Sequence, residues 1–168
     1  MKNFITSKLL ILLFVSTTIM FTGIATNASD ISNTVNDAQH KQKIQQYIDK
    51  IQTLQKQLLF LNEYNLESSP TNKATYSNSL TLANNEIEEL REEIFNYLET
   101  IPSISYQNRD VALAFNSLTF LKNALYQLIL LGDTTSAVDK NLLLEDFYLF
   151  MRLSNDTLST LENIIARD

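Results

Sequence analysis

Residues 44–61, IQQYIDKIQTLQKQLLFL, decide the fold of this chain. Within them, apolar side chains recur at alternating spacings of three and four residues, at Ile44, Tyr47, Ile51, Leu54, Leu58 and Leu61. This spacing places side chains on one face of an α-helix, whereas a β-strand would alternate at every second residue. The row therefore predicts a long helix that packs along its length against other helices.

Outward from this helix, proline and glycine divide the chain into further segments. After the N-terminal region, only Pro70, Pro102 and Gly132 interrupt it. Because these residues break helices, the sequence predicts four helices, at about residues 37–67, 70–101, 108–131 and 136–166. Ser69, Asn108 and Ser136 are the predicted N-terminal caps, and Gly132 is the predicted C-terminal cap of the third helix.

The other three helices carry similar apolar rows. Their members are Leu80, Ala83, Ile87, Leu90, Ile94, Tyr97 and Ile101; then Val111, Ala114 or Phe115, Leu118, Leu121, Leu125 and Leu128; then Leu143 or Leu144, Phe147, Met151, Leu158, Leu161 and Ile165. Ser154 interrupts the last row, which predicts looser packing at that point. Met151 is expected to fill the core.

Matched helix lengths and short connections favour antiparallel neighbours. The predicted fold is all-α, an antiparallel up-down-up-down four-helix bundle, and the alternative is a long helical hairpin followed by a separate helical pair. In the bundle, lysines of the first helix face glutamates of the second: Lys41, Lys43, Lys50 and Lys56 against Glu86, Glu88, Glu89, Glu92, Glu93 and Glu99. Such exposed pairs favour one register more than they add stability.

The N-terminus, residues 1–28, has the pattern of a signal peptide. Lys2 and Lys8 are followed by an apolar run of about 16 residues, shorter than the roughly 20 of a membrane-spanning helix, and then by small residues up to Ala28. We therefore expect a protein exported to the cell surface, the periplasm or the medium, with residues 29–168 as one helical domain. If the segment were retained, it would anchor the bundle to the membrane.

Composition narrows the function further. The chain has no cysteine, which excludes thiolate catalysis, thiolate metal sites, disulfides and lipid attachment at cysteine. Its net charge of −6 is unfavourable for binding nucleic acid or anionic membranes.

No set of catalytic residues stands out. The single histidine, His40, lies off the apolar row at the polar start of the first helix, where we expect it to be exposed to solvent. No glycine-flanked turn is present to display a nucleophilic serine. An enzyme would need a buried polar cluster such as Glu145, Asp146 and Arg152, which are more simply the polar face of the fourth helix. The chain is predicted not to be an enzyme.

Metal and haem sites are also disfavoured. The acidic residues 84–93 contain no Glu-x-x-His motif, and Ile87 and Leu90 take the inward positions. Haem ligation by Met151 and His40 would need two residues that the bundle register separates by about 16 Å. No cofactor or metal is therefore predicted.

The second half of the chain carries more apolar residues than one helix face needs. The predicted interaction patch consists of off-row residues: Leu113, Phe120, Leu130, Leu149 and Phe150. The sequence thus favours a module that binds an unidentified protein, with self-association as one form. The alternative is a bundle that holds an apolar ligand or lipid in a cavity among Leu118, Leu125, Phe147 and Met151.

Overall fold

The computed structural model describes residues 37–67, 73–102 and 105–167. These residues form four helices and no strand: α1 (Asp37–Glu67), α2 (Lys73–Glu99), α3 (Tyr106–Asp133) and α4 (Ala137–Ile165). The all-α prediction is confirmed, and the predicted bounds agree to within about three residues. The predicted signal peptide, residues 1–28, and the predicted cap at Ser69 lie outside the described residues.

The start of α3 differs from the prediction. Ser105, not Asn108, is the N-terminal cap, and its side chain accepts a hydrogen bond from the Gln107 N–H. Asn108 lies inside the first turn, and its amide donates to the Pro102 carbonyl at 2.8 Å. The start of α4 is as predicted, since the Ser136 hydroxyl accepts from the Asp139 N–H at 3.3 Å.

The predicted cap at Gly132 is also wrong. Helix α3 continues through Gly132 to Asp133, and Thr134 caps it by donating its N–H to the Leu130 carbonyl at 3.1 Å. A Cβ atom at Gly132 would lie 3.4 Å from the Tyr76 ring, which is an ordinary contact. Neither the helix end nor the available space therefore requires glycine at this position.

The predicted apolar rows form one shared core. All six row positions of α1 are buried, and Ile48 joins them. The most extensive interface lies between α3 and α4, and α1 also packs against α3. Among the described residues, α4 touches α1 at few positions and does not pack against α2. The outer faces of α2 and α4 are consequently left to solvent.

The predicted charge pairing between α1 and α2 is present at Glu93, whereas Glu88, also expected to face α1, pairs with Lys122 of α3. Lys43 and Lys50 both donate to the Glu93 carboxylate, at 2.6 and 2.5 Å. The Tyr47 hydroxyl donates to the Glu93 carbonyl at 3.3 Å from within the core. The lysine-rich part of α1 therefore lies against the glutamate-rich part of α2.

Ser154 belongs to a polar layer inside the bundle rather than to a loosely packed region. It is fully buried, and its hydroxyl accepts a hydrogen bond from Gln55 of α1 at 2.9 Å. The Ser117 hydroxyl of α3 donates to the Ser154 carbonyl at 2.8 Å. These bonds satisfy the polar groups that the interruption of the apolar row brings into the core.

Candidate functional site

The predicted interaction patch is only partly exposed. Leu130 and Leu149 are the exposed members, with 36 % and 41 % of their surface accessible. Leu113 and Phe150 are half-buried and pack against the core, and Phe120 is also half-buried. The broad α3–α4 interface therefore covers much of what we expected to be free.

Three large exposed apolar residues of α4 lie outside the predicted patch: Val138, Leu142 and Tyr148. Val138 and Leu142 are 70 % and 56 % exposed, more than any predicted member of the patch. Together with Leu149 they recur at spacings of four and seven, so they form one row along the helix. Phe147 and Met151 occupy the opposite, buried side. We call Val138, Leu142 and Leu149 the α4 outer row.

The other exposed apolar side chains do not form such a row on α1 or α2. Leu82 and Phe95 on α2 lie about 20 Å apart along the helix axis. Phe60 on α1 is exposed but stacks on Tyr64, which in turn stacks on Tyr76 of α2. Scattered apolar residues are normal on protein surfaces and need no special explanation.

At one end of the bundle, a buried polar cluster joins three helices. His40, expected to be exposed, is 1 % exposed, so that expectation is wrong. Its Nε2 atom lies 3.3 Å from Asp110 Oδ2 of α3, and its Nδ1 atom lies 2.9 Å from the Tyr97 hydroxyl of α2. One neutral tautomer fits both contacts: Nε2–H donates to Asp110, and Nδ1 accepts from Tyr97.

Further polar groups surround this cluster. Arg109 donates from Nε to the second oxygen of Asp110, at 3.1 Å. Asp37, in the first turn of α1, accepts hydrogen bonds from the Gln107 amide and the Tyr106 hydroxyl. The start of α1 is thereby held against the start of α3 and the end of α2.

The electrostatics of the cluster indicate a structural role. Burial lowers the pKa of His40 below its ordinary 6.5, despite the opposing effects of Asp110 and Asp37. Burial also raises the pKa of Tyr97, so its hydroxyl keeps its proton at neutral pH. Because His40 and Asp110 are both 1 % exposed, a substrate in solution reaches neither group. The His40–Asp110 pair therefore links helices from within the bundle.

Acidification is expected to destabilise the bundle in two stages. The pKa of His40 is lower in the folded than in the unfolded chain, so below pH 6.5 the unfolded chain binds its proton first. Its contribution to the free energy of unfolding is complete above pH 6.5 and is lost as the pH falls through the folded pKa. Urea unfolding, measured at intervals from about pH 7.5 to about pH 3, should show this first loss.

The second stage comes from the glutamates. A hydrogen bond from Lys122 lowers the pKa of Glu88; burial raises that of Glu93, but hydrogen bonds from Lys43 and Lys50 leave it below the ordinary 4.5. Their contribution is lost only below pH 4.5. The control is His40→Gln, which should remove the first stage and keep the second. Identical pH profiles for the two proteins would contradict the role given to His40.

The structure also shows where the residues of the other sequence predictions lie. Glu145, Asp146 and Arg152 are all exposed, so they do not form the buried cluster that the enzyme hypothesis needs. Leu118, Leu125, Phe147 and Met151 are all buried within the core, which confirms Met151 as a core residue.

Within the described residues, no three histidine, aspartate or glutamate side chains are placed to hold a metal ion. No helix in the same part of the chain is long and apolar enough to cross a membrane.

Comparisons with models of protein families, with curated proteins and with solved structures find no match to this chain. Its function must therefore be inferred from its own residues and their arrangement.

Proposed function

We propose that this chain is an exported, non-catalytic protein-binding module: an up-down-up-down four-helix bundle that binds another protein at or outside the cell surface. The binding surface is the outward side of the α3–α4 pair. The observation that carries the proposal is the α4 outer row, Val138, Leu142 and Leu149, whose side chains are exposed on one helix face.

Contacts between helices support the antiparallel topology. In each neighbouring pair, residue numbers rise along one helix as they fall along the other. Helices α1 and α2 make the contacts His40–Tyr97 and Tyr64–Tyr76, and α2 and α3 make Lys73–Asp133 and Glu88–Lys122. Helices α1 and α4 make Gln52–Glu162 and Asn62–Tyr148. The connection between α3 and α4, residues 134–136, is too short for anything but a reversal.

An antiparallel α3–α4 pair would bring an exposed residue of α3 to the level of the α4 outer row. Ser117 contacts Ser154, and in an antiparallel pair this contact sets Leu130 at the level of Leu142. The row is about 16 Å long. Its residues lie along one helix face, so the surface is an extended strip rather than a concave pocket. Covering it with a partner would remove apolar area from water, at roughly 1.5–3 kcal/mol for each side chain fully buried.

Export and lack of catalysis complete the proposal. The N-terminal pattern of residues 1–28 supports export, and the absence of cysteine suits a bundle that folds by packing alone. The exposed positions of Glu145, Asp146 and Arg152, and the inaccessible His40, support a role by binding instead of by catalysis.

Site-specific photo-cross-linking in the chain's own host tests the proposal. A photoreactive amino acid placed at Leu149 is expected to capture a distinct protein as one band of defined mass. The matched control is Asn85, an exposed residue of α2, which does not pack against α4. The exported bundle protein recovered in the adduct is expected to begin at Ser29, as N-terminal sequencing would show. A start at Met1 would mean a retained membrane anchor.

Two outcomes would contradict the proposed function. One is equal capture at Leu149 and Asn85, because the α4 outer row would then have no special role. The other is the absence of any adduct at Leu149 in a protein that is abundant and folded in its host.

A further inference from the structure

The partner of the α4 outer row can be described by its chemistry, provided that the proposed function holds. Three carboxylates lie among the apolar residues of the row: Asp139, Glu145 and Asp146, all exposed. Asp139 lies in the first turn of α4, where it interacts with the positive end of its own helix. In the described part of the chain, no ion pair engages Glu145 or Asp146.

The position of these carboxylates matters as much as their number. Glu145 follows Leu142 by three residues and precedes Leu149 by four, so it lies on the same face as both. Asp146 lies four residues after Leu142 and three before Leu149, on the adjoining strip of surface. A partner that covers the two leucines therefore meets both negative charges, and beyond Leu149 it meets the exposed Arg152.

A second copy of this chain does not suit the surface. In a two-fold, antiparallel α4–α4 contact, pairing Leu142 with Leu149 of the other copy places Glu145 against Asp146 on both sides of the axis, and it also places Asp139 against Arg152. Like charges juxtaposed in an interface oppose association, and each chain carries a net charge of −6. Because the attractive pair offsets the repulsive one, self-association gains no net charge attraction at this row, whereas a cationic partner does.

We propose that the α4 outer row binds a cationic amphipathic helix of another protein. Apolar side chains of that helix cover Val138, Leu142, Leu149 and Leu130, while its lysine or arginine residues pair with Glu145 and Asp146. A straight surface of about 16 Å matches three turns of helix, and recognition of this kind uses apolar anchors at helical spacing. Charge complementarity adds specificity and a faster encounter with the partner.

Binding of designed peptides to the full chain tests this inference. The probe is a fluorescent peptide of about 14 residues, with leucines at helical spacing and lysines on either side of them. Its counterpart carries glutamate in place of lysine. Fluorescence anisotropy is expected to detect binding of the lysine peptide, weakened by added salt, and at least about tenfold weaker binding of the glutamate peptide.

Matched variants separate recognition by α4 from general attraction to an acidic protein. Glu145→Gln with Asp146→Asn is expected to weaken the lysine peptide about tenfold and to reduce its salt dependence. Glu89→Gln with Glu92→Gln removes the same charge from exposed positions on α2 and is expected to have less than about a twofold effect. Equal weakening by both pairs, or equal affinity for both peptides, would overturn the inference.

The two proposals can fail separately. If cross-linking at Leu149 persists in the Glu145→Gln, Asp146→Asn variant at its original yield, the protein-binding function stands and the cationic partner is wrong. If no adduct forms at Leu149 in the unaltered chain, the function itself fails, whatever the peptides show.

Discussion

Replacing Asp110 with alanine is expected to lower the free energy of unfolding by roughly 3 kcal/mol, one of the two largest effects of a single substitution that we predict. Asp110 is almost fully buried and accepts hydrogen bonds from His40 and Arg109. Alanine leaves the His40 N–H buried without an acceptor, and an unpaired buried donor costs more than the hydrogen bond itself contributes. The loss would appear as a lower urea midpoint with an unchanged slope.

Two control variants define the cause. Asp110→Asn keeps a carbonyl that can accept from His40, so its cost should be about 1 kcal/mol. Asp146→Ala removes an exposed carboxylate and should change stability by less than about 0.5 kcal/mol. If Asp110→Ala behaved like Asp146→Ala, the cluster would not contribute to holding the three helices together.

Ser154→Leu is expected to cost a similar amount, roughly 3 kcal/mol, although leucine would complete the apolar row of α4. The Ser154 hydroxyl accepts from Gln55 and lies 3.0 Å from the Ser117 hydroxyl, and all three residues are buried. Leucine removes the partner of the Gln55 amide and introduces three more carbon atoms into the most extensive helix interface. Thermal and urea unfolding would both measure the loss.

A smaller substitution at Ser154 separates the loss of the hydrogen bonds from the effect of the larger side chain. Ser154→Ala removes the hydroxyl without adding volume, so its cost should be about 1 kcal/mol, and the remainder for leucine reflects overpacking. A more stable Ser154→Leu protein would contradict the polar layer and favour the simpler view of Ser154 as an imperfection in the row.

The sequence predicted the helices well because burial in a bundle repeats along the chain. The rows from Ile44 to Leu61 and from Leu80 to Ile94 are buried as their spacing indicates, and Lys43 and Lys50 pair with Glu93 as expected. Helix caps were less predictable. Ser105 and Asn108 can both cap a helix, and local sequence does not choose between them.

The buried polar groups could not be predicted from spacing. His40 lies 57 residues from Tyr97 and 70 from Asp110, so nothing near it in the sequence signals a partner. Its neighbours Gln39 and Lys41 suggested an exposed position instead. Once α1 lies against α3, the same residue becomes part of the interior, and its ring nitrogens need the partners that distant helices provide.

The exposed apolar residues of α3 and α4 only partly coincide with the predicted interaction patch. Phe120 and Phe150 lie off the main rows, yet both are half-buried in the bundle. Leu142 stays exposed because α4 packs mainly against one neighbour. A run such as residues 142–144 signals an excess of apolar surface, but only the packing decides which member faces solvent.

Cross-linking at Leu149, repeated in two double variants, tests the protein-binding surface most directly. Leu142→Gln with Val138→Gln removes apolar side chains from the α4 outer row, and Leu82→Gln with Phe95→Gln removes exposed apolar side chains from α2. We expect the first pair to reduce the adduct about tenfold and the second pair to leave it unchanged. An adduct that survives the first pair, or is lost equally in both, would contradict a binding surface on α4.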